Sequence, residues 1–268
     1  MKVALAQMRS TEDRGENLRQ AETLILEGAA SGADLVALPE NFAWLRSEGV
    51  QIPCAEPLDG PLVSRLSRLA SENRIWLLAG SLPEAIPGSH KAYNTSVLFD
   101  RGGSVVGVYR KIHLFDANLP GASNLTESDA VEPGSEVVVV PTEFGALGLS
   151  ICYDLRFPEL YRRQSLSGAR LLAVPSAFTE RTGRDHWEVL LRARAVENQC
   201  IVIAPAQWGR HSDRRASWGH SLAVDPWGRI VAEKPEGTGL LLADLDLTEV
   251  DRVRAGLPAL SHARLVGR

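Results

Sequence analysis

Apolar and amphipathic stretches alternate along the chain, and this pattern predicts strands and helices in turn. Apolar residues that recur every three or four positions predict helices at residues 16–30, 64–74, 158–168 and 186–199. Short apolar runs between polar, Gly or Pro residues predict strands at residues 2–8, 34–40, 76–84, 92–100, 104–111, 137–141, 146–152, 171–178, 200–207, 220–224, 229–233 and 239–247. In the last helix we expect an apolar stripe to face the core, formed by Val189, Leu190, Ala193 and Val196.

The order of these elements favours an α/β fold with layered sheets. Turn signals at residues 101–103 and 225–228 predict hairpins, so the sheets should be mixed rather than wholly parallel. The chain has 268 residues, enough to bury a sizeable core, and it shows no linker, repeat or low-complexity segment. We therefore expect a single domain over residues 1–250, with residues 251–268 as a C-terminal tail that extends from it.

Composition and charge narrow the possible classes of function. The net charge of −4 lacks the positive excess that is typical of proteins that bind nucleic acid, so we expect no nucleic-acid partner. The first apolar run is too short for a signal peptide and no run of 18 apolar residues follows, so we expect no membrane partner and a cytoplasmic protein. The three widely spaced cysteines, Cys54, Cys152 and Cys200, fit a reducing compartment, and without zinc-type spacing we expect no metal and no cofactor.

Three predicted strands end at residues that could do chemistry. Glu40 ends one apolar strand, Lys111 ends a second and Cys152 ends a third. Reactive groups favour such strand ends in α/β folds, so we expect a carboxylate, an ammonium group and a thiol to converge on one side of one sheet system. Asp154, just beyond the thiol, either lines this site or has a structural role.

A cysteine nucleophile needs a base, or a positive field that lowers the pKa of its thiol. Glu40 is one candidate base, and His113 or His186 could approach in space as another. Taken alone, Cys152 also fits a buried core residue, because free cysteine is among the most buried residue types. The residues themselves thus leave open a Glu–Lys–Cys hydrolase, a Cys–His thiol hydrolase and a non-catalytic interaction protein.

Four segments resemble the signature segments of the nitrilase superfamily, the carbon–nitrogen hydrolases: ALPENF, YRKIHLFD, LTESD and GLSICYDLRFPELYR. The resemblance extends from KVALAQM to SHAR. It implies a four-layer αββα sandwich with mixed sheets, a small-molecule amide substrate, and a homodimer or larger homo-oligomer.

The same resemblance implies the roles of the site residues. Glu40 would be the general base, Cys152 the nucleophile that forms a thioester, and Lys111 an oxyanion donor together with the backbone N–H of Tyr153. Glu127, in LTESD, would hold Lys111 and help to orient the substrate. We expect burial to keep the pKa of the Glu40 carboxyl high enough for a useful base.

Two C-terminal segments resemble one branch of the superfamily more closely, the deaminated glutathione amidases: PSAFTERTGRDHWEVLLRARAVENQCIVIAPAQWGRH and RRASWGHSLAVDPWG. This resemblance implies hydrolysis of deaminated glutathione to 2-oxoglutarate and cysteinylglycine, with an omega-amidase or another small-amide hydrolase as the alternative. A 2-oxo acid requires a cation, for which Arg156 is the first candidate and Arg181 and Arg184 are others. The remaining candidates for substrate binding are Phe157, Phe178, Thr179 and His186. Trp187 fits core packing equally well.

Overall fold

Two six-stranded mixed sheets form the centre of the computed structural model, which describes residues 1–46, 52–117 and 125–265. The first sheet consists of β1 (Lys2–Gln7), β2 (Leu35–Ala37), β3 (Trp76–Ala85), β4 (Ala92–Phe99), β5 (Val105–Arg110) and β16 (Gly239–Asp244). Its strand order is β16-β1-β2-β3-β4-β5. The neighbours β1, β2 and β3 are parallel, whereas the outer strands pair antiparallel.

The second sheet repeats this arrangement. It consists of β8 (Val139–Val140), β9 (Ala146–Leu149), β10 (Ala169–Ala173), β11 (Ile201–Ala204), β14 (Ser221–Val224) and β15 (Ile230–Lys234), in the order β15-β14-β11-β10-β9-β8. Again the three central strands are parallel and the outer ones antiparallel. Two hairpin-like pairs lie outside the sheets: β6 (Asp116–Ala117) with β7 (Leu125–Thr126), and β12 (Trp208–Arg210) with β13 (Ala216–Trp218).

In the described ranges the four helices that the periodicity predicts are present, together with three α-helices that it does not predict. They are α1 (Arg14–Ala30), α2 (Pro61–Asn73), α3 (Pro158–Leu166), the single turn α4 (Glu180–Thr182), α5 (Glu188–Asn198), α6 (Thr248–Gly256) and α7 (Ala259–His262). Both α2 and α3 begin at a proline, whose fixed φ suits the first helical turn. None of the helices in the described ranges is long and apolar enough to cross a membrane.

Alternation along each strand sorts side chains into layers. In β1, Val3 and Leu5 join the core shared with the second sheet, whereas Ala4 and Ala6 join the core beneath α1 and α2. The other two main helices, α3 and α5, pack on the second sheet from its far side. The predicted αββα order of four layers is therefore confirmed, with the two sheets face to face at its centre.

The predicted core stripe of α5 is wrong for Val189 and Val196, whereas Leu190 is half-buried and packs against the core. Val189 is 60% exposed and Val196 is 51% exposed, while Leu191 and Ala195 face the core. The buried face also contains Arg194, which donates two hydrogen bonds to the carbonyl oxygen of Leu155. Arg194 and the buried Asn198 interrupt the apolar pattern of the inner face. The outer face of α5 therefore has the more apolar sequence, although it is exposed.

The strand expected at 137–141 is shortened to Val139–Val140 at the edge of the second sheet. The boundary expected at residue 250 lies inside α6, whose Val250 and Val253 are buried. Arg254 of the same helix donates hydrogen bonds to the carbonyl oxygens of Ala169 and Gln199. The beginning of the expected tail is therefore packed against the second sheet, and residues 257–265 are largely exposed.

Candidate active site

One cavity brings together the ends of the strands that the sequence marks as reactive. Glu40, Lys111, Glu127 and Cys152 all line it, although they come from four separate segments of the chain. Glu40 lies just beyond β2, Lys111 directly follows β5, and Cys152 lies three residues beyond β9. The face-to-face packing of the sheets places these ends at one edge of the sandwich.

Glu40 is 3% exposed and its carboxylate accepts several hydrogen bonds. Oε1 accepts from the Nζ of Lys111 at 2.9 Å and from the amide of Asn94 at 3.0 Å, and Oε2 accepts from the backbone N–H of Ala177 at 2.8 Å. Burial favours the neutral carboxyl, but the charge of Lys111 and these hydrogen bonds hold the pKa of Glu40 below its ordinary value. The expectation that burial would keep this pKa high is therefore wrong, because the charge of Lys111 and the hydrogen bonds to the carboxylate together outweigh burial.

Lys111 lies between two carboxylates and is 2% exposed. Its Nζ is 2.9 Å from Glu40 and 2.8 Å from the Oε2 of Glu127. Burial disfavours the ammonium form, yet the charges of Glu127 and Glu40 raise the pKa of Lys111 above its ordinary value. The two carboxylates thus favour the ammonium form of Lys111 and fix its position from two sides.

Glu127 begins a short 3₁₀ turn, Glu127–Asp129, after β7. Its Oε2 also accepts from the backbone N–H of Phe115 at 2.7 Å, and its Oε1 from the amide of Asn94 at 3.2 Å. Asn94 therefore bridges both carboxylates. Sequence reasoning missed this residue, because nothing in the alternation of β4 distinguishes its side chain from its neighbours.

Cys152 begins a 3₁₀ turn, Cys152–Arg156, and has a left-handed backbone with φ of +48°. For a residue with a Cβ this conformation costs about 1–2 kcal/mol, and such strain is often found at functional sites. Burial, followed by the negative charge of Glu40, raises the pKa of the Cys152 thiol well above its ordinary value. The next residue, Tyr153, lies in the first turn of the 3₁₀ helix, where backbone N–H groups have no intrahelical acceptor.

Asp154 has a structural role in this turn. Its buried carboxylate accepts from the Tyr109 hydroxyl at 2.7 Å and from the backbone N–H of Ile151 at 2.9 Å. It also contacts His113, through the backbone N–H at 3.0 Å and through Nδ1 at 2.7 Å. These contacts fix the turn that presents Cys152.

The two histidines of the Cys–His alternative lie outside the cavity lining. His113 faces Asp154 and stacks on Phe157 with ring centroids 3.7 Å apart. The Nδ1 of His186 lies 3.2 Å from the Arg156 guanidinium, on the exposed side of the protein. Glu40 and Cys152 line the same cavity, whereas neither histidine does.

Of the expected substrate-binding side chains, Thr179 lines the cavity. Arg156, Phe157, Phe178 and His186 do not. The Arg156 guanidinium instead packs over the Phe178 ring, 5.1 Å from its centroid. The other two expected cations, Arg181 and Arg184, are exposed, and Trp187 packs in the core. Among the described residues, the arginines that line the cavity are Arg46 and Arg215, neither of which was an expected substrate-binding residue.

Comparison with known families decides the classification. A protein-family model described as carbon-nitrogen hydrolase matches residues 2–255 of the chain. The chain belongs to the carbon-nitrogen hydrolase family. This hydrolase is 46% identical to the deaminated glutathione amidase of Mus musculus over 267 residues, which cover 98% of this chain and 83% of the mouse protein.

Solved structures agree with the family. Saccharomyces cerevisiae Nit3, described as a member of branch 10 of the nitrilase superfamily, is 35% identical with a TM-score of 0.85, covering 96% of the hydrolase and 94% of Nit3. A mutant amidase from Nesterenkonia sp. AN1 is 28% identical with a TM-score of 0.79, covering 96% of the hydrolase and 95% of that chain. In that amidase the acetamide moiety of fluoroacetamide is covalently added at the active-site cysteine. The predicted nitrilase-type fold is confirmed.

Proposed function

We propose that this hydrolase is an amidase that cleaves deaminated glutathione to 2-oxoglutarate and cysteinylglycine through a thioester on Cys152. The observation that carries the proposal is the convergence of Glu40, Lys111, Glu127 and Cys152 on one cavity. The choice of substrate is supported by the 46% identity to the mouse deaminated glutathione amidase. No step of the reaction requires a cofactor.

In the resting site we assign an ionised Glu40 and a neutral Cys152 thiol. The depressed pKa of the carboxyl and the raised pKa of the thiol support this assignment. A carboxylate with a low pKa is a weak base toward such a thiol, so proton transfer to Glu40 must accompany attack on the amide carbonyl rather than precede it. This coupling protects the thiol from unspecific reaction while no substrate is bound.

Attack turns the amide carbonyl into a tetrahedral oxyanion. We assign its stabilisation to the ammonium group of Lys111 and the backbone N–H of Tyr153. Glu40 and Glu127 hold Lys111 in place before the reaction, so the donor needs no reorganisation when charge develops. Loss of one such donor typically costs about 3 kcal/mol, roughly a hundredfold in rate.

Collapse of the oxyanion breaks the C–N bond, and the proton on Glu40 passes to the leaving amine. The acyl group remains on Cys152 as a thioester. Water then attacks this thioester while Glu40 takes a proton from the water. The C–S bond breaks, and the proton on Glu40 returns to the Cys152 sulfur. The covalent adduct at the active-site cysteine of the Nesterenkonia amidase supports a nucleophilic role for Cys152 here.

Release of 2-oxoglutarate tests both the substrate and the nucleophile. Wild type and Cys152→Ala would each be given deaminated glutathione and, separately, alpha-ketoglutaramate. We expect a strong preference for deaminated glutathione that disappears in the variant. A preference for alpha-ketoglutaramate would instead assign an omega-amidase, and release by the alanine variant would contradict the proposed nucleophile.

We also propose that the hydrolase forms a homodimer through the exposed side of α5. A groove between this helix and the turn joining β14 to β15 is lined by Val189, Ala193, Val196, Trp227 and Gly228, together with the charged residues Arg184, Asp185, Glu188 and Arg192. Trp227 is 54% exposed, and exposed apolar side chains rimmed by polar ones typically mark a protein interface. A second copy of the chain is the occupant that we assign to it.

We place the hydrolase in the cytoplasm. Cys54, Cys152 and Cys200 are all free thiols, which supports a reducing compartment.

A further inference from the structure

Two arginines that the proposed mechanism does not use face the same cavity as Cys152. Arg46 lies on the loop that begins with Glu40, and Arg215 precedes β13 in a segment far along the chain. An Nη1 hydrogen bond of 3.1 Å from Arg215 to the carbonyl oxygen of Arg46 ties the two segments together. Two positive side chains are therefore brought together on one wall of a substrate cavity.

The guanidinium groups are incompletely satisfied. Within the described ranges neither arginine forms an ion pair, and the side chain of Arg46 makes only a long hydrogen bond of 3.4 Å to the carbonyl oxygen of Thr126. The Nε of Arg215 is buried and has no acceptor among the described residues. A buried donor without an acceptor is costly, and an anion in the cavity would satisfy it.

Electrostatics point the same way. Burial, followed by the charge of Arg215, lowers the pKa of Arg46, which means that the two cations are held together at a cost. The charges of Glu127, Asp129 and Asp116 oppose this effect. Lys111 already engages Glu127, so an anion bound between the arginines would relieve the remaining repulsion.

We propose that Arg46 and Arg215 together bind a carboxylate group of the substrate. This inference rests on the proposed function, since deaminated glutathione has two carboxylates: that of its 2-oxo acid and that of its glycine. A guanidinium fork matches a carboxylate in a bidentate geometry, and the two forks surround the group from different loops. The arginine pair thus replaces Arg156, whose guanidinium is engaged with Phe178 and His186 outside the cavity.

A pair of thiol reagents tests the arginine pair without any assumption about the substrate. The Cys152 sulfur displaces iodide from both iodoacetate and iodoacetamide, forming a C–S bond and giving up its proton, but only iodoacetate carries a carboxylate. The rates would be compared by mass spectrometry in wild type, Arg46→Gln, Arg215→Gln and the lysine variants of both. Arg68→Gln, on the exposed side of α2, removes the same charge elsewhere and is the matched control.

We expect the ratio of iodoacetate to iodoacetamide rates to fall about fivefold or more in each glutamine variant, because a nearby cation attracts the anionic reagent. The lysine variants should keep much of the ratio, and Arg68→Gln should keep all of it. An unchanged ratio in both glutamine variants would overturn the inference. So would a loss of the ratio in Arg156→Gln alone.

Kinetics then identify which carboxylate is bound. Each glutamine variant should raise KM for deaminated glutathione about tenfold or more, the effect of losing one hydrogen bond to a charged group. An equal rise with alpha-ketoglutaramate would assign the 2-oxo acid carboxylate, and a rise with deaminated glutathione alone would assign the glycine carboxylate. An unchanged KM for both would contradict the inference. If wild type hydrolyses neither amide, the proposed function fails while the reagent ratios still report on the arginine pair.

Discussion

Replacing Lys111 by methionine should make the stability of the hydrolase depend on pH in a new way. The substitution removes the ammonium group from between Glu40 and Glu127 while keeping much of the side-chain volume. Removing one partner of a buried ion pair typically costs about 3–5 kcal/mol, because the remaining charge is left uncompensated. We expect a loss of this size in the free energy of unfolding near pH 7.

The direction of the pH dependence follows from Glu40. In wild type its folded pKa is depressed, so its contribution to stability is present above its unfolded pKa, near 4.5, and is lost as the pH falls through the folded value. In Lys111→Met the attraction of the ammonium group is removed, and burial, the largest single influence on Glu40, is opposed only by hydrogen bonds such as those from Asn94 and Ala177, so we expect the folded pKa to rise above the unfolded one. The variant would then bind an extra proton on folding. Its free energy of unfolding would therefore fall further below that of wild type, by about 1.4 kcal/mol per pH unit above pH 5, until Glu40 ionises in the folded variant.

Urea unfolding of both proteins at pH 5, 6, 7 and 8 measures this deficit. Lys91→Met is the matched control, since Lys91 forms a partly exposed ion pair with Glu132 at 3.6 Å and should lose at most about 1 kcal/mol at every pH. A deficit for Lys111→Met that is as small as that of the control would refute the buried ion pair. A large deficit that does not change with pH would refute the assignment of Glu40 as the group left uncompensated.

Four further substitutions test other parts of the account. Cys152→Ala should reduce 2-oxoglutarate release below about a thousandth while circular dichroism shows an intact fold, and a higher residual rate would contradict the nucleophile. Glu40→Gln should abolish turnover yet shift the pH profile of Cys152 alkylation by iodoacetamide to lower pH, because the charge of Glu40 raises the thiol pKa; a shift to higher pH would be inconsistent with this. Asp154→Asn should cost about 2–3 kcal/mol in urea unfolding and lower turnover, because the amide turns a donor toward groups that need an acceptor; wild-type stability would argue against its structural role. Val196→Asp should produce monomers in sedimentation velocity, whereas Leu166→Asp, at an equally exposed position of α3, should not; an unchanged assembly would place the interface elsewhere.

The strand ends were the part of the site that sequence could predict. A carboxylate, an ammonium group and a thiol each follow a short apolar run, and the topology brings the ends of such runs to one edge. Glu127 has no such signal, since it follows a two-residue strand, and only the family resemblance pointed to it. Its contact with Lys111 is nevertheless among the shortest in the site, at 2.8 Å.

Other features depend on packing between distant segments, which local patterns do not report. Arg46 and Arg215 meet only because the loop after β2 lies beside the segment before β13. The buried side of α5 was assigned to the wrong stripe because Arg194 covers the carbonyl oxygen of Leu155 and is buried despite its charge. The depressed pKa of Glu40 likewise follows from a lysine that is 71 residues away in the chain.

The acyl-enzyme is the central claim, and its mass is the most direct test. The hydrolase would be mixed with excess deaminated glutathione, quenched in acid during turnover, and examined by intact-protein and peptide mass spectrometry. We predict that the protein gains the mass of one 2-oxoglutaryl group, located on the peptide that contains Cys152 and absent from Cys152→Ala. An acyl group on another residue, or efficient turnover by the Cys152→Ala variant, would contradict a thioester mechanism at this cysteine.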